Sequence, residues 1–457
     1  CIRAFNLLFI VLRRDLIFQT FLRFMAKVLK RARFFGVAGS GGMLWHLLGA
    51  IVFILLLVIE CGATVKVIRA LAGWARDTAN QRSVAARFAG AMFYAAALIS
   101  QILCWRLSYQ WQALSKYWAS VEWLLNVKYV PSDATLKRRL IAVTAFMTTC
   151  AAVEHVMSIL ATTGLDCPVS DIVKTYILKS HGFLLLDKEY YDIISLPVLF
   201  VSNVATMLWN LQDILLVLIS MGLTSRYVRL NGGVATMCSK LNKEQKWSKV
   251  SLYLWRKIRE AYVKQALLVR KINDALGLIL LFSNFFSFYF ICLQLFLWIT
   301  QGFEGDFFQK VYSLVALCWI CVRTCCVVLA AADIYEKSKS ALPYLYACHA
   351  EFYNIEIERL QNQLEKDYIA LSGMGFFNLT RTVLLQVIII YYLITTTTAL
   401  LPLRHAQATQ VSETSRHRVS HTFHMHTART LRYWCPTCQS RSRVSSASRQ
   451  DGDRATN

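Results

Sequence analysis

Four ionisable residues stand inside long apolar stretches of this chain: Glu154 and His155, Asp213, and Arg323. A charged side chain in hydrocarbon is costly, so such groups are retained to pair with one another or to line a polar cavity. Asp213, within the run WNLQD (209–213), and Arg323, near the centre of its stretch, lie at similar depth. They form either a structural ion pair or part of a gate. Glu154 and His155 have no evident basic partner at their level, and they either hydrogen-bond to neighbouring helices or face a wet pocket open to the outside. Tyr94, Asn203, Tyr289, Gln294 and Trp298 fall in the outer parts of their own stretches. Together these groups suit a sugar, whose hydroxyls need donors and acceptors and whose CH faces lie against aromatic rings. The alternative role for the aromatics is packing or an interfacial belt.

No pattern for covalent chemistry accompanies them. The chain has no phosphate-binding Gly-rich loop, no nucleophile elbow and no H-E-x-x-H pair, so neither an enzyme nor a cofactor is expected. Cys435 and Cys438 form one CxxC downstream of His417, His421, His424 and His426 in a Ser/Arg-rich segment, and that spacing is too irregular for a zinc site.

The elements that position these residues follow from composition. Of 457 residues, 56% are hydrophobic and 17% charged, and several runs reach the roughly twenty apolar residues a helix needs to cross a bilayer. The expected fold is all-α and polytopic, with seven transmembrane helices at 43–61, 86–105, 140–161, 194–223, 276–299, 311–332 and 379–401. The net charge of +23 sits mainly in loops beside these runs, where it sets orientation and meets anionic lipid rather than nucleic acid. The more basic loops fall on the side of the N-terminus, which is therefore expected to be cytoplasmic. Residues 1–41 read as an amphipathic arm on the membrane surface, 42–401 as the membrane domain and 402–457 as a low-complexity tail. Basic residues 247–271 and an acidic amphipathic run at 351–369 read as two helices below the membrane, either packed together or separately solvated.

Three stretches carry a resemblance. LWNLQDILLVLISMGLTSRYVRLN (208–231), VRTCCVVLAAADIYEKSKSALPYL (322–345) and ALSGMGFFNLTR (370–381) are similar to the sugar-receptor subfamily of insect gustatory receptors, over roughly residues 85–386. The resemblance implies a sugar-gated, non-selective cation channel in the plasma membrane of chemosensory neurons. It implies a homo- or hetero-tetramer with related subunits, the last helix of each around a central pore. On that reading Glu154, His155, Tyr289, Gln294 and Trp298 are candidates for the sugar pocket. Trp209 and Asp213 carry the family motif, in binding or coupling, and Arg323 and Arg381 are structural. Gln386, Tyr391 and Tyr392 would belong to the pore. Rival classes are a receptor signalling through G proteins, which needs the opposite topology, and a secondary transporter, which needs related halves.

The chain departs from the family after Gln386. Tyr391-Tyr392 lacks the expected Thr before it and Gln-Phe after it, and the tail carries nine arginines from Arg404 to Arg454 on the side expected to be extracellular. The expectation from these features is a mis-joined last coding segment.

Overall fold

The structure is a computed structural model that describes residues 20–39, 41–74, 83–124, 133, 135–184, 192–244, 249–301, 307–349, 353–383 and 385. In chain order its helices are α1 (Thr20–Ala32), α2 (Met43–Leu71), α3 (Val84–Leu124), α4 (Leu136–Thr163), α5 (Ile172–Ser180), α6 (Asp192–Glu244), α7 (Lys249–Gln301), α8 (Phe307–Lys339), α9 (Leu342–Tyr346) and α10 (Ile355–Lys366). The fold is all-α; among the described residues the sole β pairing is an isolated bridge between Ser372 and Asn378.

Six helices, α2, α3, α4, α6, α7 and α8, are long and apolar enough to cross a membrane, and they contain the first six expected spans. The seventh, at 379–401, lies outside the described residues beyond its first turns. Helix α2 illustrates how sequence sets orientation in lipid. Its buried residues Gly49, Val52, Leu56, Ile59, Ala63, Val67 and Ala70 recur every three or four positions, so they form one stripe against the bundle. Leu47, Ile51, Ile54 and Val58 point away and stay exposed, which a lipid-facing surface explains. Because lipid is as apolar as these side chains, close packing rather than the hydrophobic effect holds the helices together.

Helix α6 is the centre. It packs against α3, α4, α7 and α8, and from Ile214 to Ile219 every side chain is at most 5% exposed. At 53 residues it runs roughly 80 Å, well beyond the bilayer. Helix α7 is equally long and continues its span as the basic helix expected from residues 247–271. The acidic partner forms as α10, whose first turn is capped by Asn354 Oδ1, accepting from Glu356 N (2.9 Å) and Ile357 N (3.1 Å). The two helices pack together through Arg259–Glu356 at 2.7 Å and, just past the end of α10, Arg270–Asp367 at 3.5 Å. Opposite charge thus resolves the open alternative in favour of a joined pair.

The N-terminal arm corrects one expectation. Phe21, Met25, Leu29 and Ala32 of α1 do form an apolar face, but that face docks on protein rather than on lipid. Phe21 stacks on Trp118 of α3 (ring centroids 4.6 Å apart) and meets Trp111 edge-on (6.5 Å). Its ring also rests on Gly222 of α6, where a β-carbon would come within 2.6 Å of it. The missing side chain at Gly222 gives Phe21 its seat.

Candidate functional site

A cavity of about 410 Å³ opens among α3, α4, α5, α6, α7 and α8, within the size range of small-molecule sites. Its floor is set by register on two helices. Ser202, Thr206 and Asn210 recur every fourth residue of α6 and share one face with Trp209, and Tyr312, Ala316, Trp319 and Arg323 do the same on α8.

Arg323 organises the floor. Its Nε lies 2.9 Å from Asp213 Oδ2, its Nη1 donates to Asn210 Oδ1 at 3.2 Å, and its guanidinium carbon sits 4.0 Å from the centre of the Trp209 ring. Asp213, one turn below Trp209, accepts at its other oxygen from Ser283 Oγ of α7 at 2.5 Å. Three helices are therefore tied by one carboxylate, and both charged groups are at most 2% exposed. A buried pair needs such extra hydrogen bonds to offset desolvation.

The walls mix polar groups with rings. Glu154 of α4 accepts from Tyr312 Oη at 3.3 Å, and His155 lines the same wall. The Trp209 ring lies 4.9 Å from that of Phe290 and 6.4 Å from that of Phe93. On the far side, Tyr94 Oη and His181 Nε2 are 2.8 Å apart, with Phe183 and Tyr176 packed about the imidazole. His181 belongs to the turn after α5, and burial pushes it down to about 4, so it is neutral near pH 7.

Several buried polar atoms of the residues that line this cavity have no hydrogen-bond partner among the described residues: Arg323 Nη2, Trp209 Nε1, Trp319 Nε1, His155 Nε2 and His181 Nδ1. Buried polar groups are normally satisfied. Three of these five are obligate donors and two are imidazole nitrogens. Chemically, such an arrangement can offer donors to a ligand rich in hydroxyls, with Glu154 as acceptor and the Trp209, Phe93 and Phe290 rings as apolar surface.

Of the residues singled out from sequence, Glu154, His155, Trp209 and Gln294 share this cavity, as do Tyr94 and Arg323. Asp213 lies beneath it. Two residues stand elsewhere. Tyr289 is one position round the helix from Phe290, so the 100° step that points Phe290 and Gln294 into the cavity turns Tyr289 aside, against Phe88. Asn203 is turned likewise and donates to Leu199 O of its own helix at 2.8 Å. Arg381 donates to Asp333 Oδ1 at 3.0 Å. The side chain of Trp298 and the pore candidates Gln386, Tyr391 and Tyr392 lie outside the described residues. Sequence reasoning missed Tyr312, Trp319, Ser202, Thr206 and Asn210, although the four-residue polar stripe on α6 was a usable signal. It also missed His181, which no periodicity marks because a turn delivers it.

A family model described as trehalose receptor matches residues 43–408, wider at both ends than the resemblance at 85–386. Among individual relatives, the chain is 28% identical over 310 residues to the Drosophila melanogaster gustatory receptor for sugar taste 64a, covering 66% of each chain. It is 29% identical over 297 residues to the Drosophila melanogaster gustatory receptor 5a for trehalose, covering 64% of this chain and 65% of that one. The matches thus span slightly under two thirds of these relatives' lengths. In three dimensions the chain resembles the insect olfactory receptor OR5 from Machilis hrabei, with a TM-score of 0.60, 11% identity and coverage of 84% of this chain and 98% of that one. Against the same receptor in complex with eugenol the TM-score is 0.62, at 12% identity, covering 84% and 99%.

Proposed function

This chain belongs to the trehalose receptor family, and on that premise we propose that it is a sugar-gated, non-selective cation channel of the plasma membrane. The observation that carries the ligand class is the set of donors without a partner among the described residues, on side chains that line one cavity with a carboxylate and aromatic walls. Relatives named for sugar taste and for trehalose support the same class. In this reading a sugar lies against Trp209 and Phe290, donates hydroxyl hydrogen bonds to Glu154 and receives hydrogen bonds from Arg323 Nη2 and the two indole N–H groups.

Gating then follows from connection. Arg323 lines the cavity while its Nε holds Asp213, and Asp213 holds Ser283. A ligand that engages Arg323 more favourably in one arrangement of α6, α7 and α8 shifts the population toward that arrangement, by no more than its difference in affinity. The last helix, from about residue 379, would line a pore shared by four subunits, and the N-terminus would be cytoplasmic.

The test is a sugar-evoked cation current in cells expressing the full chain, with G-protein signalling blocked. Current that persists supports the channel. Loss of the response on blocking G proteins, together with an N-terminal epitope accessible without permeabilisation, overturns it in favour of a receptor of opposite topology.

A further inference from the structure

A second cavity, about 580 Å³, lies between α1 and α3 at the other end of α3 from the first. The first cavity uses Ala86 to Tyr94 of that helix, and the second uses Ser108 to Ala119. At 1.5 Å per residue the two are separated by about 20 Å along the helix axis, most of a hydrocarbon core.

Its depth follows from its neighbours. The apolar span on α3 ends near Trp105, whose indole donates to Gly36 O at 2.5 Å, and a tryptophan with its ring in apolar surroundings and its N–H bonded suits the membrane interface. Ser108 begins roughly 5 Å beyond, at the depth of lipid headgroups. Phe34, on the turn that follows α1, is 63% exposed and packs edge-on against Trp45 at 5.0 Å, so the flank toward the bilayer is apolar.

The cavity is strongly cationic. Arg23, Lys30 and Arg33 line one wall and Lys116 the other, where Ser108 and Gln112 stand on the same helix as Lys116. Among the described residues no carboxylate lines it. Helix α1 contains no acid, and the single acid of α3, Glu122, is engaged by Arg226 and Arg229. Among the described residues Lys30, Arg33 and Lys116 make no ion pair. Like charges held around one concavity repel one another, and an occupant with several anionic oxygens removes that cost.

We propose that this cavity binds a multiply phosphorylated headgroup, carried by a phosphoinositide of the adjoining leaflet or by a free inositol polyphosphate. Because α1 is clamped to α6 by Phe21 on Gly222, the occupant would fix the arm against the central helix.

The experiment uses the purified full-length chain in phosphatidylcholine nanodiscs. Retention of a bisphosphorylated phosphoinositide is compared for the wild type, for Lys30→Gln/Arg33→Gln/Lys116→Gln, and for Lys27→Gln/Arg31→Gln, which removes charge from exposed positions of α1 that do not line the cavity. The expected result is at least a tenfold loss in the first variant and less than a twofold change in the second. If the triple variant does not fold, Lys116→Gln alone, on the opposite wall, should lower retention about threefold. Soluble inositol trisphosphate separates the sources. Competition at equal concentration identifies the free anion as sufficient, whereas failure to compete assigns the lipid form. Equal losses in the cavity and control variants, equal retention of phosphatidylserine, or no retention of either phosphorylated species overturns the proposal.

Discussion

Arg323 and Asp213 meet at 2.9 Å at the junction of α6, α7 and α8, and the same guanidinium lies 4.0 Å above the Trp209 ring at the cavity floor. One side chain thus belongs to both the packing of the bundle and the surface of the site. Breaking the pair from one side leaves the other charge buried, at a cost of about 3–5 kcal/mol. Asp213→Ala is therefore expected to abolish surface expression, and Asp213→Leu combined with Arg323→Met to restore part of it. Surface biotinylation checks both, and equal expression of the single variant and wild type contradicts the structural half of this account.

Glu154 lies at the wall rather than at the junction, held by one 3.3 Å contact to Tyr312. Glu154→Gln keeps the shape and removes the charge. A hydrogen bond to a charged group is worth about 1.5–3 kcal/mol, so the half-maximal sugar concentration should rise about tenfold or more with surface expression unchanged. Collapse of expression would instead make Glu154 a structural residue.

His181 provides a pH test with a definite sign. Its folded pKa of about 4 lies below the ordinary value near 6.5, so the unfolded chain binds the proton more readily. This stability contribution is intact above about pH 6.5 and is lost as the pH falls toward 4. The melting temperature in detergent should drop on acidification through this window, and less so in His181→Gln. Parallel curves for the two proteins would contradict the buried, neutral imidazole.

Gly222 tests the seating of the N-terminal helix. A β-carbon there would lie 2.6 Å from the Phe21 ring, and overpacking of this kind costs about 1–3 kcal/mol. Gly222→Ala should destabilise the protein, and Phe21→Leu should relieve part of that loss. Additive effects would show that the two residues are not in contact.

The first six spans and the pairing of the two oppositely charged helices α7 and α10 were legible because period and charge are local properties of a sequence. The proximity of Arg323 to Asp213 was legible for the same reason, since depth along a span is a count of residues. Direction around each helix was harder. Tyr289 and Asn203 have the right chemistry and depth, but each stands one step of 100° from the residue that faces the cavity. His181 could not be found by periodicity at all. The docking of α1 was hidden because an amphipathic helix reads alike whether lipid or protein covers its apolar face; the deciding residue, Gly222, lies two hundred positions away.

Whether the protein is itself a sugar-gated channel is decided by cation flux through the purified full-length chain in proteoliposomes on addition of sugars, with no other protein present. The expected result is a saturable, sugar-dependent flux whose half-maximal concentration shifts in Glu154→Gln. A correctly inserted protein that passes no ions with any of a broad panel of sugars would contradict it.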